Sequence, residues 1–207
     1  MNFKKIAIVG NSKKFIFETK LFFDYELLSV IPWRKLKYFS FKKKIIYNLI
    51  FICGYDFSSY YSNYRLFKKI NISYPIKFFS EISNNKTNFV YINTQNYKSR
   101  YYTFSRYKFA KQKLSYLLHK NFKNLVVINS DLITTKNIMS INSDNFSKIF
   151  FSIFIKLGLL KTVDVKKIFV EIKEKLENKN YEKQKNIKGY LLFIPRIQFI
   201  DRILRLF

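Results

Sequence analysis

Tyr107 and Lys111 are the residues of this chain whose types and spacing best suit acid–base chemistry. On a helix, residues i and i+4 share one face. An ammonium ion beside a phenol favours the phenolate, which suits the phenol to giving or taking a proton at a substrate oxygen. Thr94 ends the apolar run before this helix, so its hydroxyl can hydrogen-bond the same oxygen. We therefore predict that Thr94, Tyr107 and Lys111 form a catalytic set for proton transfer to a carbonyl.

The alternative is that the Tyr107–Lys111 spacing arises by chance. The chain contains 16 tyrosines and 39 lysines and arginines, so a tyrosine four residues before a lysine is expected somewhere. Tyr97, Tyr101 and Tyr102 are competing phenols, which we interpret as lid or surface aromatics. Whether this spacing reflects catalysis or chance therefore depends on the elements that position the three candidate residues.

Short apolar runs alternate with segments of helical spacing along the chain. The predicted strands are Lys5–Gly10, Tyr25–Ile31, Tyr47–Gly54, Asn88–Asn93, Leu125–Asn129 and Tyr190–Ile194. The predicted helices are Lys13–Phe23, Tyr60–Ser83 with a break or bend near Pro75, Ser105–His119, Phe146–Leu157 and Val163–Glu177. Alternating strands and helices imply a mostly parallel sheet with both faces covered. We predict an α/β fold.

The chain carries a formal net charge of +26. Such a charge is typical of proteins that bind nucleic acid or an anionic membrane surface. The lysines are spread along the whole chain beside many Ile, Asn, Phe and Tyr, residues with A/T-rich codons, so genome composition explains the bias equally well. The segment Tyr97–Lys113 interleaves aromatic residues with cations, but it lies within the α/β order. We predict no specific nucleic-acid partner and keep a basic nucleic-acid or membrane-surface binder as an alternative.

Metal chemistry and secretion are not indicated. Cys53 and His119 are the only cysteine and the only histidine, so we predict no metal site. The first residues enter an apolar run without a long hydrophobic leader, and the longest apolar stretches fall short of a spanning helix. We expect a cytoplasmic protein. The segment Phe193–Phe207 alternates apolar and basic residues at near-helical spacing, which is compatible with a membrane-surface or homodimer helix, although packing on the domain is the commoner outcome.

The ordered set of motifs resembles the short-chain dehydrogenases/reductases, in particular the extended or atypical branch that acts on nucleotide sugars. That family has a Ser or Thr after a strand of the form VYIS, then a YxxxK motif that opens the next helix, then a further strand. The corresponding pieces here are VYINT, YKFAK and LVVINSDLI. The segments KIAIVG, YNLIFICG and TVDVKKIFVEIKEKL, and the helix residue Asn71, are also similar to the family's pattern.

This resemblance implies a Rossmann-like, NAD(P)-binding domain over residues 1–207, in which residues 136–207 contribute a small C-terminal substrate or cap region. It implies an oxidoreductase, epimerase or dehydratase of a nucleotide-linked sugar in surface polysaccharide biosynthesis. In that mechanism Lys111 holds the nicotinamide ribose, Tyr107 gives or takes the proton, and Thr94 orients the carbonyl.

The resemblance also implies the cofactor site, with either NAD or NADP as cofactor. Its residues are Gly10, Asn11, Ser12, Lys13, Arg34, Gly54 and Lys111. Arg34 follows the second predicted strand, where it either binds the adenosine 2′-phosphate and favours NADP or is a solvated surface arginine. The family's GxxGxxG turn is reduced here, with Lys13 and Ile16 where the second and third glycines stand. A non-catalytic relative that binds a nucleotide sugar or a partner enzyme is therefore an alternative.

Overall fold

The predicted alternation of strands and helices is present in the computed structural model. The structure describes residues 2–10, 13–38, 45–94, 102–103, 105–130, 132–135, 138–139, 153, 155–156, 162–181 and 190–191. Its strands are β1 (Asn2–Val9), β2 (Asp24–Ile31), β3 (Leu49–Ile52), β4 (Asn88–Thr94), β5 (Tyr102–Thr103), β6 (Leu125–Ser130), β7 (Leu132–Thr135), β8 (Ile138–Met139), β9 (Thr162–Asp164) and β10 (Tyr190–Leu191). Its α-helices are α1 (Lys13–Phe22), α2 (Tyr64–Lys68), α3 (Tyr74–Glu81), α4 (Arg106–Asn121) and α5 (Val165–Glu177).

The main sheet has five strands in the order β2-β1-β3-β4-β6, and all of its neighbouring strands are parallel. After β1 the chain forms β2 on one side, and it then returns to form β3 on the other side. The switch point of the sheet therefore lies between β1 and β3. In open α/β sheets, ligands bind outside the carboxyl ends of the strands at such a point. The α/β, Rossmann-like prediction is confirmed.

Helices cover both faces of this sheet. On one face, Phe169 of α5 packs against Phe15 of α1 and Phe51 of β3, with ring centroids 5.3 Å and 5.7 Å apart. On the other face, α3 and α4 pack with Phe79 and Leu114 in the core. Strands buried on both faces need no alternation of apolar and polar residues, which explains their continuous apolar runs. None of the helices within the described ranges has the length and apolar character to span a bilayer.

Two predicted helices differ from those in the structure. Helix α5 begins at Val165 and not at Val163, because Val163 pairs with Ile133 of β7 and the Asp164 side chain caps the helix by accepting from Lys166 N at 2.8 Å. The segment Tyr60–Ser83 is not one helix. It consists of a 3-10 turn (Phe57–Tyr61), α2 (Tyr64–Lys68), a π-helical turn (Lys69–Ser73) and α3 (Tyr74–Glu81).

Pro75 explains where that segment changes its winding. It lies in the first turn of α3, directly after the π-helical turn, and it has no N–H to continue an α-helical ladder. A second 3-10 helix, Trp33–Tyr38, was not predicted. The predicted helix Phe146–Leu157 and the residues after Leu191 in the predicted strand Tyr190–Ile194 lie largely outside the described residues. The division of the domain at residue 136 stays a prediction.

Two glycines and a tryptophan meet at the switch point. Gly10 has a φ of +138°, and a Cβ there would lie 2.8 Å from Cys53 Sγ and 2.9 Å from Gly54 N. A Cβ on Gly54 would overlap Trp33 Cε3 and lie 2.8 Å from Trp33 Cδ2. Trp33 is buried, and its indole lies against Gly54 after the carboxyl end of β3. Both glycines are therefore required by close packing.

We expect Gly54→Ala to destabilise the fold by about 1–3 kcal/mol, the usual cost of overpacking a buried site. The added methyl group cannot be accommodated without moving the buried Trp33 ring. Urea unfolding of Gly54→Ala, Trp33→Leu and the double variant measures this cost. The double variant should lose less stability than the sum of the single variants, because the smaller side chain leaves room for the methyl group. Additive losses would contradict the packing explanation.

Candidate active site

The carboxyl edge of the sheet brings most of the predicted site residues to one side of the molecule. Gly10 follows β1, Arg34 follows β2, Gly54 follows β3, and Thr94 is the last residue of β4, where its Cα pairs with that of Ser130 on β6. The side chain of Thr94 lies outside what the structure describes, as do Asn11 and Ser12. Their predicted roles stay predictions.

Tyr107 and Lys111 lie on one face of α4, as the spacing predicts. The side chain of Ser105 caps this helix by accepting from Lys108 N at 3.3 Å, so Tyr107 lies in the first turn. The Nζ of Lys111 is 5.8 Å from the centre of the Tyr107 ring and 5.1 Å from the centre of the Tyr91 ring. At these distances the ammonium is attracted to both rings. The structure therefore brings the candidate acid–base pair together.

Lys111 is buried, with 4% of its surface exposed. Its Nζ donates a hydrogen bond to Ile92 O at 3.2 Å, which places the ammonium beside β4 two residues before Thr94. Neither of the ion pairs found within the described ranges involves Lys111. A buried ammonium without a carboxylate costs several kcal/mol, and it has three protons to donate. Such a cation is unfavourable for folding and well suited to binding oxygen atoms of a ligand.

Aromatic side chains surround the Tyr107 ring. Tyr55 meets it edge-on with the ring centroids 4.8 Å apart, and Phe57 lies nearly parallel to it at 5.8 Å. Tyr55 and Phe57 also meet each other edge-on at 4.8 Å. These contacts hold the ring plane of Tyr107 and place an apolar wall beside its phenol. Phe57 remains partly exposed, so one side of this aromatic cluster faces solvent.

A polar network holds the loop that carries Tyr55 and Phe57. Asp56 N donates to Asn71 Oδ1 at 2.9 Å, and Asp56 Oδ1 accepts from Arg34 Nε at 2.9 Å and from Ser58 Oγ at 2.7 Å. Asn71 Nδ2 donates to Ser59 Oγ at 2.7 Å. Asn71 lies in the π-helical turn, a kind of irregularity that is frequent at functional sites. The network thus links the end of β2, the loop after β3 and this turn.

Cys53, the only cysteine of the chain, lies close to these residues, and its thiol is not a nucleophile at neutral pH. Burial raises the pKa of the Cys53 thiol to about 12, and attraction to the Lys111 ammonium opposes this rise only in part. The thiolate is the reactive form of cysteine, so a buried neutral thiol is inert. Covalent catalysis through Cys53 is therefore disfavoured.

The residues at the start of α1 fit the pyrophosphate of a dinucleotide. The first turn of α1 contains Lys13 and Lys14 and no acidic residue. Cations are unfavourable at the positive end of a helix, whereas a bound anion there is stabilised by the backbone N–H groups. Partial burial lowers the pKa of Lys14, and the attraction of Asp164 opposes that shift. Lys13 and Lys14 are therefore candidates to pair with a phosphate group, and this role stays a prediction.

Comparison with known proteins supports the fold. No protein-family model and no curated protein sequence matches the chain. The structure is similar to that of a dTDP-4-dehydrorhamnose reductase from Clostridium acetobutylicum, with a TM-score of 0.54 and 14% identity over 86% of this chain and 72% of that one. It is also similar to a capsular polysaccharide assembling protein from Staphylococcus aureus, with a TM-score of 0.49 and 13% identity over 90% of this chain and 52% of that one.

The structural similarity to the Clostridium reductase shows a shared α/β fold and no more. The chain spans about half the length of the capsular protein. The chemistry of this chain therefore depends on the side chains at the carboxyl edge of the sheet and not on the fold alone.

Sequence reasoning missed the residues that surround the predicted pair. Tyr55, Asp56 and Phe57 contact or support Tyr107, and the Tyr91 hydroxyl donates to Lys111 O at 3.0 Å. One signal was present in the sequence. Tyr55, Asp56 and Phe57 directly follow the glycine that ends an apolar strand, and loops after parallel strands lie at the binding edge of such sheets.

Proposed function

We propose that this chain is an NAD(P)-dependent oxidoreductase, dehydratase or epimerase of a nucleotide-linked sugar in surface polysaccharide synthesis. The observation that carries the proposal is the buried Lys111 ammonium, which lies one helical turn after Tyr107 and beside the end of β4 without a carboxylate among the described residues. The substrate class rests on the resemblance of the motifs. The name of the Clostridium reductase that shares the fold agrees with it.

In the proposed mechanism, Tyr107 transfers a proton to or from the substrate oxygen, and the Lys111 ammonium lies on the same face of α4. The Nζ protons of Lys111 that are not bonded to Ile92 O would form hydrogen bonds to the ribose hydroxyl groups of a bound nicotinamide cofactor. Thr94, at the end of β4, orients the carbonyl. A bound nicotinamide supplies or accepts the hydride at the carbon atom. Tyr55 and Phe57 hold the phenol ring and limit the access of water to it.

In this proposal, a dinucleotide cofactor would be held at the switch point. Lys13 and the backbone of Gly10, Asn11 and Ser12 would hold its pyrophosphate at the start of α1. Gly54 lies at the crevice, where a larger residue would collide with Trp33. Arg34 is 70% exposed at its side chain and pairs with Asp56 through Nε. Its exposed guanidinium edge is proposed to bind the 2′-phosphate of NADP.

We expect Arg34→Ala to raise the KM for NADPH about tenfold and to leave the KM for NADH unchanged. One charge-assisted hydrogen bond contributes about 1.5–3 kcal/mol, and tenfold corresponds to about 1.4 kcal/mol. Asp56 keeps its hydrogen bonds from Ser58, so the loop should stay in place. Steady-state kinetics with both cofactors measures the effect, with the exposed Lys35→Ala as the matched control. An equal change for NADPH and NADH would contradict the role of Arg34.

The direct test of the function is an assay of the purified chain with nucleotide-linked 4-keto sugars and NADPH or NADH. Loss of the reduced-nicotinamide absorbance reports reduction, and mass spectrometry of the sugar product reports epimerisation or dehydration. We expect turnover with at least one sugar. Binding of cofactor without turnover on any of them would reject the enzyme in favour of a non-catalytic relative. A cytoplasmic location and membrane contact by the C-terminal segment stay predictions.

A further inference from the structure

Within the part of the chain that the structure describes, the outer edge of β2 is an open strand edge. β2 is eight residues long, it pairs with β1 along its whole length, and it is the end strand of the main sheet. No strand within the described ranges pairs with its other side. A long open edge offers a row of unpaired N–H and C=O groups, which natural proteins usually cover or protect with charged residues.

The backbone groups on this open side can be assigned. Ile31 O accepts from Gly10 N at 2.9 Å, so the polar groups of Ile31 point toward β1. Because the direction of these groups alternates along a strand, those of Glu26, Leu28 and Val30 point outward. The proline after Ile31 ends the strand without removing any of these outward donors.

Apolar side chains border the open edge. Leu27 and Val30 of β2 are 37% and 39% exposed, and Phe17 and Leu21 on the outer face of α1 are 59% and 60% exposed. Val30 is in register with Ile8, whose side chain packs with Phe15 of α1, so Val30 lies on the face of the sheet that carries Phe17 and Leu21, whereas Leu27 lies on the opposite face. Exposed apolar residues beside an unpaired edge are typical of an association surface.

The charges of this edge indicate which partner fits. The charged residues of β2 are Asp24 and Glu26, both at its start, although the whole chain has a net charge of +26. Lys35 and Lys37, both exposed, follow its end. Two copies placed with antiparallel β2 strands would bring the acidic start of each strand beside the basic end of the other. A parallel placement would instead bring like charges together.

We propose that two copies of this chain associate through antiparallel pairing of their β2 edges, which forms one continuous sheet across a two-fold axis. Such an interface is isologous, because the same surface of each copy meets its counterpart. It lies at the end of the sheet away from Tyr107 and Lys111 on α4, so its test does not depend on the proposed catalytic function.

Sedimentation equilibrium of the wild type and three variants tests this interface. Val30→Lys places a cation on the open edge, and Val30→Pro removes an outward N–H without removing a hydrogen bond to β1. Val170→Lys is the matched control, because it also replaces an exposed valine with lysine but does so on α5, away from the β2 edge. We expect a wild-type dimer, weakening on the order of tenfold in Val30→Lys, a larger loss in Val30→Pro, and no change in Val170→Lys.

Hydrogen exchange of the wild type adds a second readout that a merely unfolded variant cannot imitate. The amides of Glu26, Leu28 and Val30 should gain protection as the protein concentration rises. The proposal is overturned by a wild type that stays monomeric at about 100 µM, within the range of weak specific complexes. It is also overturned by a dimer that survives Val30→Lys unchanged, or by one that forms without protection of those three amides.

Discussion

Tyr107→Phe is expected to lower kcat by about 10²–10⁴-fold, the usual contribution of a positioned proton donor or acceptor. The substitution removes only the phenolic oxygen. The ring contacts with Tyr55 and Phe57 do not need that oxygen, and neither does the Lys111 ammonium near the ring. Stability should therefore remain close to that of the wild type. Steady-state kinetics and thermal unfolding of the same preparation provide both measurements.

Tyr116→Phe is the matched control for this variant. Tyr116 lies on the same helix, and a lysine Nζ, that of Lys113, is 5.2 Å from the centre of its ring. It shares the residue type and the neighbouring cation with Tyr107, and it lies near the opposite end of the helix from the carboxyl edge. We expect full activity from Tyr116→Phe. Turnover by Tyr107→Phe at the wild-type rate would remove the acid–base assignment.

Lys111→Met should separate activity from stability. Methionine keeps most of the side-chain length and removes the charge, so the buried site no longer contains an ammonium without a carboxylate. Replacing a buried charge with an apolar side chain is often neutral or stabilising by about 1–4 kcal/mol. We expect unfolding at equal or higher denaturant concentration, together with loss of about 10²-fold or more in kcat/KM. A residue with only a structural role would lose activity through lost stability.

Lys113→Met is the control for that variant, since Lys113 is on the same helix and its cation also lies over a tyrosine ring. It should change neither property appreciably. If Lys111→Met unfolds more easily than the wild type and its remaining folded fraction is fully active, then Lys111 is part of the core and not of a site.

The sheet could be predicted because its signals are local. The central runs of β1, β3, β4 and β6 are apolar, as strands with both faces buried require, and they are Ile6–Val9, Leu49–Ile52, Phe89–Ile92 and Leu125–Ile128. Glycines follow two of these strands. The 3-10 helix at Trp33–Tyr38 gave no such signal, since short 3-10 segments have no distinctive period. The strand Thr162–Asp164 was included in a helix because Val163 fits the helical spacing of the residues after it.

The candidate pair could be predicted for the same reason, since an i, i+4 relation needs only one helix. The environment of the pair could not. Tyr55 and Phe57 reach Tyr107 only because β3 and α4 meet in space, and the Asp56 network joins segments that are distant in sequence. The burial of Lys111 against β4 also depends on tertiary packing. The sequence pattern identified the candidate residues, whereas their burial and their contacts depend on the folded structure.

Cofactor binding is the central claim, and titration with NADPH and NADH tests it most directly. Trp33 is the only tryptophan of the chain, and it lies at the switch point where the cofactor is proposed to bind. Its fluorescence can transfer energy to a reduced nicotinamide bound nearby. We expect saturable energy transfer with a dissociation constant below about 1 mM, the upper end of usual KM values, and weaker binding by Lys111→Met. No saturable signal with either cofactor up to that concentration would contradict the account.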